Sequence, residues 1–510
     1  MATPVRIRPS ELMIVGLVLG ALLASGILAT PLFNLDEIWV YQLSRRIAHG
    51  YTPYRDFYLI VFPFAMQVNA AALALVSDQL LVLRCVAVLV SLGTAIAIYV
   101  ACRKVGVSRA LCLFPLAAFL WAEFISPPNS YTWFAFAFLS AALLTDITLL
   151  DGAPGAAGSR TRAGGLAILT GCLLGLATLS KQHVGLAALA ASIVFTVTAG
   201  PKDCRARPDI GRAGLKLLGW LAVVVVELGY LWRSEALGPF LKYTIVEALT
   251  FRGEAGVHFS ALMRLPGSTF LAFLVPACLL FSLGWAVWRW NRDPGHAVPF
   301  LLFIYGLASL SIAYPRADLA HMLVVAPLAA IGPSLWVSER MAALRWRWAE
   351  LVVAFPLLLI FFAPLVRVEQ HLAALRQGDV RLSSLPHYAG IPIDPGLDGW
   401  ISQVGDSIRR LEAEGRRVYF IEHSAALFLI PSDRFADRFD VPMLGNFGAH
   451  GMDQVIDQLA GDETAAVFLL PGSHELEPKP IVDFVEATMI RAGEVAGYQV
   501  YVHPESKPKS

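Results

Sequence analysis

Asn34-Leu35-Asp36-Glu37-Ile38-Trp39-Val40-Tyr41, continuing to His49-Gly50-Tyr51-Thr52-Pro53-Tyr54-Arg55-Asp56-Phe57, is the stretch on which the reading of this chain turns. It follows an apolar run and leads into another. It therefore puts two adjacent carboxylates at the mouth of a membrane span, where charge is costly and usually functional. From Asp36 to Arg46 the pattern is that of an amphipathic helix, with Trp39, Leu43 and Ile47 at helical spacing. His49-Gly50 ends the helix, and the residues from Tyr51 to Phe57 form a turn.

The composition around this stretch is that of a membrane protein. Of 510 residues 56% are hydrophobic and 15% charged, more apolar and less charged than a soluble domain. The net charge of +1 carries no information about partners, because in a membrane protein the distribution of charge decides. Six cysteines (Cys85, Cys102, Cys112, Cys172, Cys204, Cys278) show no metal-ligand spacing, which argues against a zinc site or disulfide scaffold. No nucleotide fingerprint, P-loop or internal repeat is present, and no nucleic-acid partner is expected. Arg6 and Arg8 before the first apolar run resemble a signal peptide, but the many runs that follow make it an uncleaved first helix.

Runs long enough to span a bilayer fall near 12–31, 80–102, 109–126, 131–150, 164–180, 184–200, 214–232, 269–288, 297–313, 322–338 and 349–366, about eleven spans. One set of connections is basic: Arg103, Lys104 and Arg109; Arg160 and Arg162; Lys202, Arg205, Arg207 and Arg212; Arg289 and Arg292; Arg340, Arg345 and Arg347. With Arg6 and Arg8 they point to the cytoplasm. Residues 58–77 are apolar but hold Pro63, Gln67 and Asn69. A full crossing there would invert every later loop, so they are read as a helix at the outer interface. The N-terminus is then cytoplasmic and the C-terminus external, in the periplasm of a Gram-negative cell. After about residue 367 prolines, glycines and charges increase. Residues 417–421, 465–470 and 498–502 read as strands, and 400–414, 452–460 and 480–491 as helices, giving a small α/β domain. The domains expected are 1–366 in the membrane and 367–510 outside it.

The outer loops break the charge bias and carry mixed charges with aromatics, as an anion-binding surface would. Asp36 at a helix top facing water can take a proton from an acceptor as a bond forms; an ordinary interfacial charge is the alternative. Glu37 or Asp56 could orient the acceptor or bind a metal. Lys181, between two apolar runs, either holds a phosphate or snorkels to the interface. His183 beside it is either a cavity residue or a plain interfacial histidine. Arg316, Asp318 and His321 form a phosphate-binding loop or a local ion pair. Arg252, Glu254 and His258 read best as a solvated loop. No full metal-ligand set is apparent, so metal-independent catalysis without a cofactor is expected, a divalent metal being the alternative.

The ordered run Asp36-Glu37, Tyr41, then Gly50-Tyr51-Thr52-Pro53-Tyr54-Arg55-Asp56-Phe57 resembles the first external loop of GT-C glycosyltransferases. The branch is that of the protein mannosyltransferases (glycosyltransferase family 39) and the lipid A aminoarabinose transferase. Thr178-Leu179-Ser180-Lys181 resembles that family's outer-face lysine. The likeness covers roughly residues 10–330. It implies a mainly α, polytopic GT-C fold with external juxtamembrane helices and a small C-terminal α/β domain. It implies a hexosyl- or pentosyltransferase in the inner or plasma membrane, with a polyprenyl-phosphate sugar as donor and a glycan, lipid or protein as acceptor. Asp36 takes the role of general base, with Glu37 beside it. Arg55, Lys181, Arg316 and His321 become donor-phosphate ligands, and Tyr41, Tyr54, Asp56 and His183 line the substrate site. Where the aminoarabinose branch carries an acidic-basic pair before its proline, this chain has Val61-Phe62 before Pro63. Lipid A therefore need not be the acceptor. The competing class, a lipid or solute transporter, accounts for the spans but not for this ordered loop, and the paired halves of a transporter are absent.

Overall fold

The computed structural model describes residues 7–504 except 33–34, 126–129, 151–158, 199–208, 248–267, 293–296, 315, 345–348, 423, 433–437, 441, 443–445, 449, 471 and 473–476. The chain forms two units. One comprises Met1–Ile27, Cys85–Tyr230 and Val257–Gln370; the other comprises Leu28–Arg84, Leu231–Gly256 and His371–Ser510.

The first unit is a helical bundle. Each apolar run of the sequence becomes a helix: α1 Pro9–Leu28, α4 Leu80–Val105, α5 Leu113–Ile125, α6 Tyr131–Leu150, α7 Ser159–Ser180, α8 Gln182–Thr198, α9 Ile210–Arg233, α11 Ser268–Arg292, α12 Val298–Leu310, α13 Leu319–Leu344 and α14 Ala349–Gln377. Among the described residues seven of them are long and apolar enough to cross a membrane: α1, α4, α6, α7, α9, α11 and α13. α5, α8 and α12 are shorter apolar helices. The protein is an integral membrane protein with mainly helical architecture. The core of the bundle is continuous, from Leu19 and Leu23 of α1 through Phe119, Phe136 and Tyr305 to Ile331 of α13.

α7 and α9 touch backbone to backbone. A Cβ added at Gly171 would overlap the carbonyl of Lys216, and one at Gly219 the carbonyl of Ile168. Lipid tails are as apolar as leucine, so such close van der Waals contact drives helix association in a membrane. Gly219→Leu is expected to push the two helices apart and cost about 1–3 kcal/mol, the usual penalty of overpacking. Thermal unfolding of the purified protein in detergent measures it, and an unchanged midpoint would refute this account of the crossing.

The second unit begins with α2, Leu35–Ala48, and α3, Phe64–Leu75. Acidic residues open α2 (Asp36, Glu37) and basic residues close it (Arg45, Arg46), both favourable to the helix dipole. Gly50 then takes a left-handed φ of 90°. Gly50 N donates to the Ile47 carbonyl at 3.0 Å and Tyr51 N to the Arg46 carbonyl at 2.9 Å, a Schellman closure. α3 has 12 residues, about 18 Å of helix against a hydrocarbon core of about 30 Å. At that length it falls short of a full crossing. Leu237–Leu241 forms α10, and the chain widens to a π turn over Lys242–Val246.

The C-terminal part of this unit is a small α/β fold. β1 Arg381–Leu382 pairs with β2 Pro392–Ile393, and four strands, β3 Arg417–Phe420, β4 Ala465–Leu469, β5 Ile490–Val495 and β6 Tyr498–Val502, form a sheet in the order β3-β4-β6-β5. β3 and β4 are parallel and the rest antiparallel. Helices α15 Pro395–Ala413, α16 Ala425–Ser432, α17 Gly451–Gly461 and α18 Lys479–Thr488 complete it. One expectation is corrected. The helix read over 480–491 stops at Thr488, and Ile490–Val495 is an edge strand. It is exposed almost throughout, so it lacks the alternation that betrays a half-buried strand. Its pairing comes from the two-residue turn Ala496-Gly497, with φ of 50° and 90°, the mirror-image turn that suits a hairpin.

Candidate functional site

In the bundle unit, three helix N-termini come together around Lys181. This residue is the single link between α7 and α8, and it is buried. Its Nζ donates to Thr132 Oγ1, in the first turn of α6, at 3.3 Å, and to the Ile312 carbonyl at 3.1 Å. It also lies 5.7 Å from the centre of the Tyr131 ring. Among the described residues no carboxylate makes a salt bridge to Lys181, and the Asp318 charge acts on it from beyond contact distance. His183, in the first turn of α8, meets the Tyr314 ring edge-on at 5.6 Å.

Asp318 precedes α13 and caps it. Its Oδ1 accepts from His321 N at 3.0 Å and from His321 Nδ1 at 2.7 Å, which fixes the orientation of the imidazole. Burial pushes the Asp318 carboxyl up, but the His321 hydrogen bonds and the Arg316 charge outweigh it and hold the group below the ordinary carboxylate range. Arg316 lies 3.6 Å from Asp318 Oδ2 and is partly exposed. Helix N-termini carry unsatisfied N–H groups and positive potential, a natural seat for an anion. Lys181 and His183 from one place in the sequence, and Arg316 and His321 from another, thus meet in one cluster that includes Asp318.

In the other unit the Asp36-Glu37 pair is split. Asp36 is exposed on the first turn of α2. Glu37 is buried and held by both oxygens: Arg84 Nε donates to Oε1 at 2.7 Å and Nη2 to Oε2 at 2.9 Å. Arg84 also donates to the Thr30 carbonyl. Adjacent residues on a helix point about 100° apart, so one carboxylate faces outward while its neighbour anchors the helix. Tyr41 is buried, with its hydroxyl donating to the Asp78 carbonyl at 3.1 Å. Arg45 pairs with Asp78 at 2.9 Å and Arg46 with Asp440 at 2.7 Å.

The turn after α2 is closed on itself. Asp56 accepts from Thr52 N at 2.7 Å, and from Arg55 Nε at 2.8 Å and Nη2 at 2.9 Å. These bonds, that from Arg55 foremost, hold the Asp56 carboxyl below its ordinary range. Tyr54 takes a left-handed φ of 69°, is buried, and donates to the Val61 carbonyl at 2.6 Å. The hydroxyls of Tyr41 and Tyr54 are thus engaged by backbone carbonyls, and Arg55 has a carboxylate on its fork. Arg252, Glu254 and His258 lie outside the described residues. No group of three or more His, Cys, Asp or Glu suited to a metal occurs among the described residues.

Among the described residues, two buried ion pairs with a charge inside an apolar run escaped the sequence reading. One is Arg84–Glu37. The other joins Asp146 of α6 to Lys216 of α9 at 2.6 Å. Asp146 Oδ2 also accepts from Ser192 Oγ at 2.6 Å and Tyr305 Oη at 2.8 Å, and Lys216 donates to Thr196 Oγ1 at 2.7 Å. The signal was present: each of Arg84, Asp146 and Lys216 is a charge inside an apolar run, which demands a partner.

The architecture matches known structures over nearly its full length. ArnT from Cupriavidus metallidurans bound to undecaprenyl phosphate superposes with a TM-score of 0.58 at 15% identity, over 98% of this chain and 99% of that one. The chain shares the fold of that structure. The apo state of the same protein gives 0.57 at 16% identity, over 96% and 97%. Archaeal oligosaccharyltransferase AglB from Archaeoglobus fulgidus, in complex with an inhibitory peptide and a dolichol-phosphate, gives 0.52 at 12% identity, over 90% of this chain and 69% of that one. No family model and no curated protein matches the sequence.

Proposed function

We propose that this chain is a membrane glycosyltransferase that moves a hexosyl or pentosyl group from a polyprenyl-phosphate donor to an extracytoplasmic glycan, lipid or protein. The observation that carries the reading is Lys181: a buried lysine with no carboxylate in salt-bridge contact among the described residues, amid helix N-termini. A buried charge without a contacting counter-ion is expensive, and a phosphate would supply that contact. The fold supports the same reading, since one GT-C structure holds undecaprenyl phosphate and another dolichol-phosphate.

In this reading Asp36 takes the proton from the acceptor hydroxyl or amine. The acceptor atom then forms its bond to the anomeric carbon, the carbon–oxygen bond to the phosphate breaks, and the electron pair leaves with polyprenyl phosphate. Lys181, Arg316 and His321 balance the charge that grows on the departing phosphate, with His183 beside them. A single displacement inverts the anomeric centre. Glu37 acts through Arg84, fixing the helix that carries Asp36, and Asp56 orders the following turn with Arg55. The basic loops lie in the cytoplasm, with the α/β region of 367–510 outside.

The test uses native membranes, which hold the acceptor. Labelled polyprenyl-phosphate sugars are supplied one at a time and release of free polyprenyl phosphate is followed. Lys181→Met, of similar length and without charge, is expected to raise the donor KM about 10- to 100-fold, the worth of one charged hydrogen bond. An unchanged donor KM would remove Lys181 from the phosphate site. No release from any donor by folded wild type would defeat the transferase reading itself.

A further inference from the structure

The last turns of α11 and α13 carry a cluster of arginines and tryptophans that has no part in sugar transfer. Three guanidinium groups gather over the Trp288 ring: Arg292 at 4.6 Å, Arg289 at 5.7 Å and Arg340 at 5.9 Å. Arg340 also lies 5.4 Å from the Trp336 ring. Trp288, Arg289 and Arg292 belong to α11, and Trp336 and Arg340 to α13, so two helices build the cluster together. Glu339 neutralises one charge, accepting from Arg289 Nη2 at 2.6 Å. Arg292 and Arg340 have no acidic partner among the described residues. Arg289 Nε is buried without an acceptor.

An arginine stacked on an indole is held in orientation while its N–H edge stays available. Such edges match the oxygens of a phosphate. Three of them with one counter-charge make a site for an anion. The surface beside it identifies the kind of anion. Leu280, Leu283 and Val287 of α11 are exposed by 68%, 36% and 51%. They form an apolar stripe that ends at Trp288, and the space in front of Gly284 is open. Indoles at a helix end sit at headgroup depth in a bilayer, and basic clusters there recognise anionic lipids.

We propose that the Arg289–Arg292–Arg340 cluster binds the phosphate of an anionic phospholipid whose acyl chain follows the stripe above Gly284. Along α13, Arg340 is 19 residues from His321, about 28 Å of helix. This lipid is therefore distinct from the proposed donor, and the inference stands or falls independently of the proposed activity.

The experiment compares the full-length protein with Arg292→Gln/Arg340→Gln in mixed micelles of phosphatidylglycerol and phosphatidylcholine. Lipid retained after gel filtration is quantified by mass spectrometry. Both residues are exposed, so the variant is expected to keep the wild-type melting temperature in phosphatidylcholine alone. Wild type is expected to retain phosphatidylglycerol in preference, and the variant to lose that preference by roughly 10- to 30-fold, at about one decade or less per arginine. Arg409→Gln/Arg410→Gln, on the exposed face of α15, serves as a charge control and is expected to behave as wild type. Equal retention by wild type and Arg292→Gln/Arg340→Gln would overturn the proposal. So would an equal loss in the control, which would indicate bulk attraction. Displacement by millimolar inorganic phosphate would also overturn it, because the site would then be one for a soluble anion.

Discussion

Asp36→Asn is expected to lower turnover about a thousandfold, within the 10²–10⁴ range that a positioned general base supplies. The amide keeps the size and polarity of the carboxylate and cannot accept the acceptor's proton. Asp36 is exposed on the first turn of α2. Its contribution to folding is therefore of the order of a helix-dipole interaction, at most about 1 kcal/mol. The variant should elute from gel filtration and melt as wild type does while donor consumption collapses. Asp36→Glu should recover part of the rate, since it restores the base with a displaced oxygen. Turnover near the wild-type level in Asp36→Asn would remove the base assignment and leave the fold assignment untouched. A matching loss in Glu37→Gln would not rescue it, because that residue is buried against Arg84 and acts on the position of α2.

Arg84→Met is expected to destabilise the protein by about 3–5 kcal/mol, the usual result of stripping the partner from a buried charge. Arg84 and Glu37 are both buried, and the guanidinium meets both carboxylate oxygens. Methionine fills much of the volume, so the loss measures the orphaned carboxylate more than a cavity. The informative companion is Glu37→Gln/Arg84→Met. With both charges gone the desolvation penalty goes with them, and the double variant should recover most of the stability. Thermal or denaturant unfolding in detergent gives both values. A single variant as stable as wild type would show that Glu37 needs no counter-ion. A double variant no better than the single would show that the pair acts through its geometry.

The interplay of these two neighbours marks the limit of what local sequence can reveal. The Asp36-Glu37 pair was visible as two carboxylates at a span mouth. Which of them faces outward depends on the rotation of α2 about its axis, and that rotation is set by Arg84, 47 residues away. The same holds for Tyr41 and Tyr54. Both stand in the ordered loop, and both turn inward to bond backbone carbonyls. Lys181, His183, Arg316 and His321 were each legible as charges or imidazoles at the ends of apolar runs. Their meeting was not, because it requires α6, α8 and α13 to bring their N-termini together.

What the sequence determined by itself is the part governed by short-range physics. The eleven apolar runs became helices at the expected places, seven of them, among the described residues, long and apolar enough to cross a membrane, because a backbone in lipid must satisfy its own hydrogen bonds. The closure of α2 at His49-Gly50 followed from glycine's access to positive φ. Strands β3, β4 and β6 followed from their apolar residues, valine and aromatics among them. Tertiary structure alone decided the pairing of charges: Glu37 with Arg84, Asp146 with Lys216, Arg46 with Asp440. It also decided that Ile490–Val495 is a strand, since an exposed edge strand is defined by its partner and its turn. A partner far along the chain leaves no trace in local periodicity, and a buried charge states only that a partner must exist.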